Sequence, residues 1–343
     1  AEENSVLTAL SSTVISGSVE ASYVGGFSTN NNMHNDGGFE ANGASLNIGS
    51  PLGEGDYGAS YNVGLLFGNR AGAFAPNGDD QLLRSANIGM NLPFGNGVDL
   101  TLGLFDTTVG YETEASASNP NVMRSYGYLM EPRTHTGLLA ATEITEGLSV
   151  SAGLINGFDS SDGEDTEGHA DLGYVLGADF TLPDSLGFLG GSTLYAGYVD
   201  GSDEGQTVAA TTNTAAFVNT DDNTLLYIGA SVNTPIEGLA IGIAYDDRQL
   251  GDNDEADSVA VYATYSLSDD ASISLRYDNG TYDDGAEDSF DNLALTLDYS
   301  IWENVTTRLE LGWESGVGLK APDRDGDPAG NSSYFALNAF YSF

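Results

Sequence analysis

Through most of this chain, apolar and polar residues alternate one for one in stretches of about ten residues, and helical periodicity is almost nowhere. In "TVISGSVEASY" (13–23), Ile15, Gly17, Val19, Ala21 and Tyr23 share one face, while Ser16, Ser18, Glu20 and Ser22 share the other. In "NLALTLDYSI" (292–301), Leu293, Leu295, Leu297, Tyr299 and Ile301 oppose Ala294, Thr296, Asp298 and Ser300. Successive side chains of an extended chain point to opposite faces, so each stretch is a strand with one apolar and one polar face. The pattern places about 16 strands, near 13–24, 39–50, 57–68, 83–92, 98–107, 134–144, 147–157, 172–182, 191–200, 224–234, 237–247, 256–267, 270–278, 290–300, 304–314 and 333–343.

The links between them alternate in length. Short ones such as "PFGNG", "TEG" and "WEN" take turns with long ones at 25–38, 69–82, 108–133, 158–171, 201–223, 248–255, 279–289 and 315–332. A soluble sandwich has no reason to sort its links this way, whereas an outer-membrane barrel has tight periplasmic turns and long outer loops. The apolar faces carry almost no charge, with Arg84 the main exception at a strand end. An Arg or Lys facing lipid at the bilayer midplane costs about 2–4 kcal/mol, which is reason enough for that scarcity. The expected fold is all-β: a transmembrane antiparallel up-and-down β-barrel of about 16 strands with short periplasmic turns and long extracellular loops.

The last stretch, "SSYFALNAFYSF" (332–343), reads as the closing strand. Its Phe335, Leu337, Ala339, Tyr341 and Phe343 face lipid, with Tyr341 and Phe343 in the periplasmic aromatic girdle. Residues 1–12 read as an N-terminal periplasmic segment and 13–343 as the barrel. The opening "AEENS" looks like what remains once a signal peptide is removed, which agrees with a bacterial outer-membrane location.

Composition narrows the function. Acidic residues number 51 against 9 basic, a net charge of -42. Phosphate contact needs Lys and Arg, so no nucleic-acid partner is expected. The absence of Cys excludes disulfides and zinc–thiolate sites. Of the three histidines, His34 and His169 lie in links and His135 begins a strand as a rim or wall residue. No nucleotide-binding fingerprint is present and no Ser-His-acid set stands out, so neither catalysis nor a cofactor is expected. An outer-membrane lipase is the enzymatic alternative.

The stretch 83–140 resembles the OmpL-like β-barrel porins. In that family a strand pair is followed by a "GKF…GYE" element, an Asn-rich loop, a Ser-Tyr pair and a "P…HTG" return strand. Here "GLF" (103–105), "GYE" (110–112), Asn119, Asn121, Ser125, Tyr126, Pro132 and "HTG" (135–137) correspond. Leu104 departs from the pattern, standing where the family often has Lys. The resemblance implies a porin-like barrel.

A barrel of about 16 strands leaves an aqueous channel. The longest link, 108–133, holds the same position as the loop that folds into the lumen of the general porins this architecture resembles. It carries Tyr111, Glu112, Glu114, Arg124, Tyr126, Tyr128, Glu131 and Arg133. The expected constriction sets Glu112 and Glu114 across an eyelet from Arg276 and Arg308 on the wall, making a transverse field. Glu20, Asp99, Glu143, Asp179, Asp246, Asp298 and Glu310 fall on lumen-facing positions and lead us to expect a modest cation preference. Alternating Asp323, Asp325 and Asp327 form a candidate Ca²⁺ site, although the cluster lacks the distal Glu of an EF-hand and reads better as part of a solvated acidic rim.

The function expected is passive diffusion of small hydrophilic solutes and ions. The partners are outer-membrane lipid and lipopolysaccharide, with a homotrimer expected from the general-porin likeness. One alternative is a sugar-selective channel with Tyr111, Tyr126 and Tyr128 as a stacking track. Another is a structural or adhesive barrel whose acidic loops are bridged by divalent cations.

Overall fold

The computed structural model describes residues 12–27, 37–53, 56–72, 81–159, 172–201, 223–250, 254–283, 287–316 and 332–343. The strands are β1 (Val14–Gly26), β2 (Gly38–Ser50), β3 (Ala59–Phe67), β4 (Gln81–Leu92), β5 (Val98–Asp106), β6 (Thr134–Thr145), β7 (Leu148–Asn156) and β8 (Leu172–Thr181). They continue as β9 (Thr193–Asp200), β10 (Asn223–Asn233), β11 (Leu239–Leu250), β12 (Asp254–Ser268), β13 (Ala271–Asp283), β14 (Glu287–Trp302), β15 (Val305–Gly316) and β16 (Ser332–Ser342). Each is antiparallel to its neighbours in sequence, and β1 pairs with β16 to close the barrel. All sixteen expected strands are present. Among the described residues the two short α-helices, α1 (Asn69–Gly72) and α2 (Tyr126–Met130), both lie in long links. No helix among the described residues is long and apolar enough to cross a membrane.

The alternation sorts side chains as the period of two demands. On β14, Leu295 is 40% exposed while its neighbours Ala294 and Thr296 are 0% exposed. Exposed aromatics gather at the strand ends: Phe94, Phe188, Tyr265, Trp302, Tyr341 and Phe343 near the short turns, and Phe27, Phe39, Phe67 and Trp313 towards the long links. Leu, Ile and Val fill the belt between, the arrangement of an outer-membrane barrel surface. The short turns use residues that tolerate a left-handed backbone, Gly147 (φ 80°) in "TEG" and Asn304 (φ 65°) in "WEN". At the seam, Gly17 and Phe343 exchange backbone hydrogen bonds of 3.0 Å in both directions.

Arg84 is where the simple alternation misleads. Counted by twos from Ala86, Ile88 and Met90, it falls on the lipid face. The β3–β4 register, however, slips between Gly64↔Ser85 and Leu65↔Leu83, and Arg84 is the unpaired extra residue of that bulge. A bulge shifts the parity of a strand by one residue. Arg84 therefore turns away from the lipid face to bond Asp106 (2.8 Å) and Glu114 (3.3 Å).

Leu295→Arg, at the middle of the outward face of β14, is expected to lower folding free energy in lipid vesicles by about 2–4 kcal/mol. Leu295→Ala is expected to cost clearly less. Urea titration followed by the fluorescence of Trp302 and Trp313, both on the outer surface, measures both.

Candidate functional site

Residues 107–133, between β5 and β6, turn into the barrel instead of projecting from it. An irregular segment enclosed in this way cannot leave its peptide groups unbonded, because each buried orphan costs on the order of 1–3 kcal/mol. Part of the demand is met within the segment. The Asn119 side chain accepts from the Thr113 N–H (2.7 Å) and donates to the carbonyls of Thr113 (2.7 Å) and Ala115 (2.9 Å). Ser125 caps α2, accepting from the Tyr128 N–H at 3.2 Å. The Glu112 carboxylate accepts the Ser125 N–H (3.1 Å to Oε2), joining the two limbs of the loop.

Charged groups of the wall meet a further part. Glu310 of β15, fully buried, accepts the N–H groups of Val122 (2.6 Å) and Met123 (3.0 Å). Asp278 of β13 accepts the Tyr126 N–H at 3.2 Å. Arg276 of β13 donates to the carbonyls of Met123 and Arg124 and pairs with Glu112 (3.2 Å) and Asp278 (2.7 Å). Arg308 of β15 donates to the carbonyls of Ser116 (2.8 Å) and Asn119 (2.9 Å), lies over the Phe340 ring and pairs with Asp298. Arg248 of β11 donates to the Met130 carbonyl at 2.9 Å. From the other side of the barrel, Arg70 of α1 donates to the Glu114 carbonyl (3.0 Å) and pairs with the Glu114 carboxylate and with Glu20 (2.9 Å). Glu20 also accepts the Ser116 hydroxyl (2.9 Å) and the Asn338 amide (2.6 Å).

The roots of the loop are held by apolar packing. Phe105 and Val109 join a buried cluster with inward residues of β7 to β12, among them Ile155, Val175, Val199, Leu225 and Tyr262. Tyr111 stacks on Tyr262, with centroids 4.3 Å apart and planes at 21°, and its ring rests over Gly242, where a Cβ would collide with it. His135 is fully buried at the start of β6, with Nε2 3.0 Å from the Thr107 hydroxyl. It is a wall residue at the base of the loop.

This arrangement revises the expected eyelet. Glu112 and Arg276 touch, with side chains 1% and 0% exposed, so no water-filled gap separates them. Glu114 meets Arg70 and Arg84 rather than Arg276 or Arg308. Charges in contact out of water cancel one another, so these pairs do not set up the expected transverse field. Tyr126 packs on Phe290 at 3.9 Å, and Tyr128 lies under Arg124 at 5.4 Å. Both are buried, so neither can serve the stacking track; Tyr111 is the tyrosine of the three that reaches a cavity. Arg124 donates to the carbonyls of Val122 and Glu114, and the Arg133 N–H bonds to Asp159. The loop residues that remain exposed between 113 and 118 are Thr113, Ala115, Ala117 and Ser118, small and neutral.

The expected lumen acids divide into two groups. Glu20, Asp246 and Glu310 are buried against the loop. Asp99 and Glu143 are exposed, Asp179 is half-exposed, and Asp298 lies at Arg308. Asp323, Asp325 and Asp327, with His34 and His169, lie outside the described residues. Sequence reasoning missed Arg70, Arg248, Asp278, Tyr262 and Tyr334, whose hydroxyl donates to the Glu310 carboxylate at 3.0 Å. Arg70 and Arg248 fell within the links read at 69–82 and 248–255, and nothing local sets Asp278, Tyr262 or Tyr334 apart from other strand residues.

Glu131, just after α2, is buried beside Asp246. Burial, then the nearby Asp246 and Glu112 carboxylates, push its carboxyl well above the ordinary 4.5. A carboxyl that binds its proton more tightly when folded stabilises below its unfolded value, and that contribution is lost as pH rises through the folded one. Glu131→Gln is therefore expected to stabilise the barrel at pH 7 and to gain nothing at pH 4, read from urea midpoints across that range. Arg276→Ala, which strands Glu112 and Asp278 and two loop carbonyls, is expected to cost about 3–5 kcal/mol. Adding Glu112→Gln to Arg276→Ala should recover part of that loss in the same titration.

Comparison with known proteins agrees with the fold. The family model "Putative beta-barrel porin-2, OmpL-like" matches residues 12–343. No curated protein sequence matches the chain. Among solved structures, OprB of Pseudomonas putida is similar with a TM-score of 0.65 at 11% identity, covering 99% of this chain and 96% of its own. The anion-selective porin of Comamonas acidovorans gives 0.63 at 14%, covering 97% and 99%. The trimer form of in-vitro folded OmpT of Vibrio cholerae gives 0.63 at 15%, covering 96% and 99%. The chain belongs to the OmpL-like β-barrel porin-2 family.

Proposed function

We propose that this barrel is an outer-membrane diffusion channel for small hydrophilic solutes and ions, modestly cation-preferring, with residues 107–133 setting its narrowest part. The observation that carries the charge preference is the unequal fate of lumenal charges. Lys320 and Arg324 lie outside the described residues, and the other seven basic side chains are either in the loop or bonded to it. Asp99, Glu143 and Asp179 keep contact with water and form no ion pair among the described residues. Exposed acids facing a pore without compensating bases favour cations. The inward Asn62, Asn87 and Asn91, with Ser60 and Ser85, give the wall of β3 and β4 a neutral hydrogen-bonding surface suited to hydrated solutes. The aromatic bands and apolar belt suit a lipid and lipopolysaccharide surround. Assembly as a trimer is proposed on the likeness to the trimer form of Vibrio cholerae OmpT.

Refolded protein in a planar bilayer under a KCl gradient is expected to give discrete openings and a cation-selective reversal potential. The triple variant Asp99→Asn, Glu143→Gln, Asp179→Asn should move that potential towards zero with little change in conductance. Barrels verified as folded that pass no current would overturn the channel reading. An unchanged potential in the triple variant would overturn the assignment of those acids.

A further inference from the structure

Under the tip of the loop, in the half of the lumen nearer the short turns, lies a cavity of about 700 Å³. This is within the range of about 300–1,000 Å³ typical of small-molecule sites. Loop residues 117–120 line it on one side, and the inward faces of β9, β10 and β12 to β16 line it on the others. Two tyrosines mark it as more than a water-filled vestibule. Tyr111 lines it with one ring face already packed against Tyr262, which holds the ring rigid. Tyr227 also lines it, its ring buried in the wall and its hydroxyl packed over Gly229.

The remaining polar lining is neutral in effect. Ser231, Thr264 and Ser274 supply hydroxyls, and Asp298 and Arg308 are paired with each other. An ion entering here would find no uncompensated opposite charge. A ring compound with apolar C–H faces and hydroxyl edges would lay a face on the tyrosine ring and exchange hydrogen bonds with the hydroxyls. We propose that this cavity is a binding site for uncharged polyhydroxylated solutes of mono- to disaccharide size. The inference deepens the channel reading and rests on it for the route by which the solute arrives.

The test is saturation-transfer NMR on refolded barrels in an amine-oxide detergent, which has no sugar head-group to compete. D-glucose and maltose are the probes, and an uncharged poly(ethylene glycol) of similar mass is the size control. Saturable transfer to the sugar ring protons is expected, with none to the polymer, and about tenfold weaker binding in Tyr111→Ala. If that variant does not fold, Ser231→Ala removes one lining hydroxyl and is expected to weaken binding about threefold. No saturable transfer, equal transfer to the polymer, or unchanged affinity in the folded variants would overturn the site. A conducting barrel that binds no sugar overturns this inference and leaves diffusion standing, whereas sugar binding by a barrel that conducts nothing does the reverse.

Discussion

A segment without regular secondary structure, folded into the middle of a barrel, must find a bonding partner for every peptide group it takes out of water. In this protein that requirement organises the lumen. Residues 107–133 make few hydrogen bonds to their own backbone. Carboxylates of β13 and β15 therefore take the N–H groups of Val122, Met123 and Tyr126, and guanidinium groups of β13, β15, β11 and α1 take the carbonyls. Arginine suits the second task because its planar fork can bridge two acceptors at once, as Arg276 and Arg308 both do.

The same requirement explains how a chain of net charge -42 distributes its few bases. An arginine exposed in an acidic lumen would gain little from pairing in water. Buried between wall and loop, it faces both carbonyls and carboxylates, and removing it strands several groups together. Among the described residues the bases therefore sit where they fix the loop, and acids that face water, such as Asp99 and Glu143, are left without an ion pair. The proposed charge preference and the retention of the loop are in this sense two results of one distribution.

The barrel itself was legible in the sequence because a period of two is a local signal. Leu293, Leu295 and Leu297 announce their face whatever surrounds them. The exception at Arg84 was not legible, since a bulge is set by pairing between β3 and β4, and one strand read alone keeps its parity. For the site, the position of the loop and most of its residues could be read, but their partners could not. Glu114 was expected across an eyelet from Arg276 and Arg308 and instead meets Arg70, which follows β3 in a link. Inward Val175 and Val199 also depart from the polar face read for the inner side of each strand. They belong to a packing cluster that only the inward fold of the loop creates.

The anchors of the loop lie on separate arcs of the wall, Arg70 and Arg84 by β3 and β4, and Arg248, Arg276 and Arg308 on β11, β13 and β15. Joined through the loop, these arcs are cross-braced. An empty cylinder of strands can be squeezed oval by the lateral pressure of its surroundings at small cost, since its hydrogen bonds run round the hoop and resist only stretching. A strut pinned at both ends of a diameter resists that flattening directly. The loop is thus a mechanical element as well as a lumenal one, holding the cross-section of the barrel to one shape.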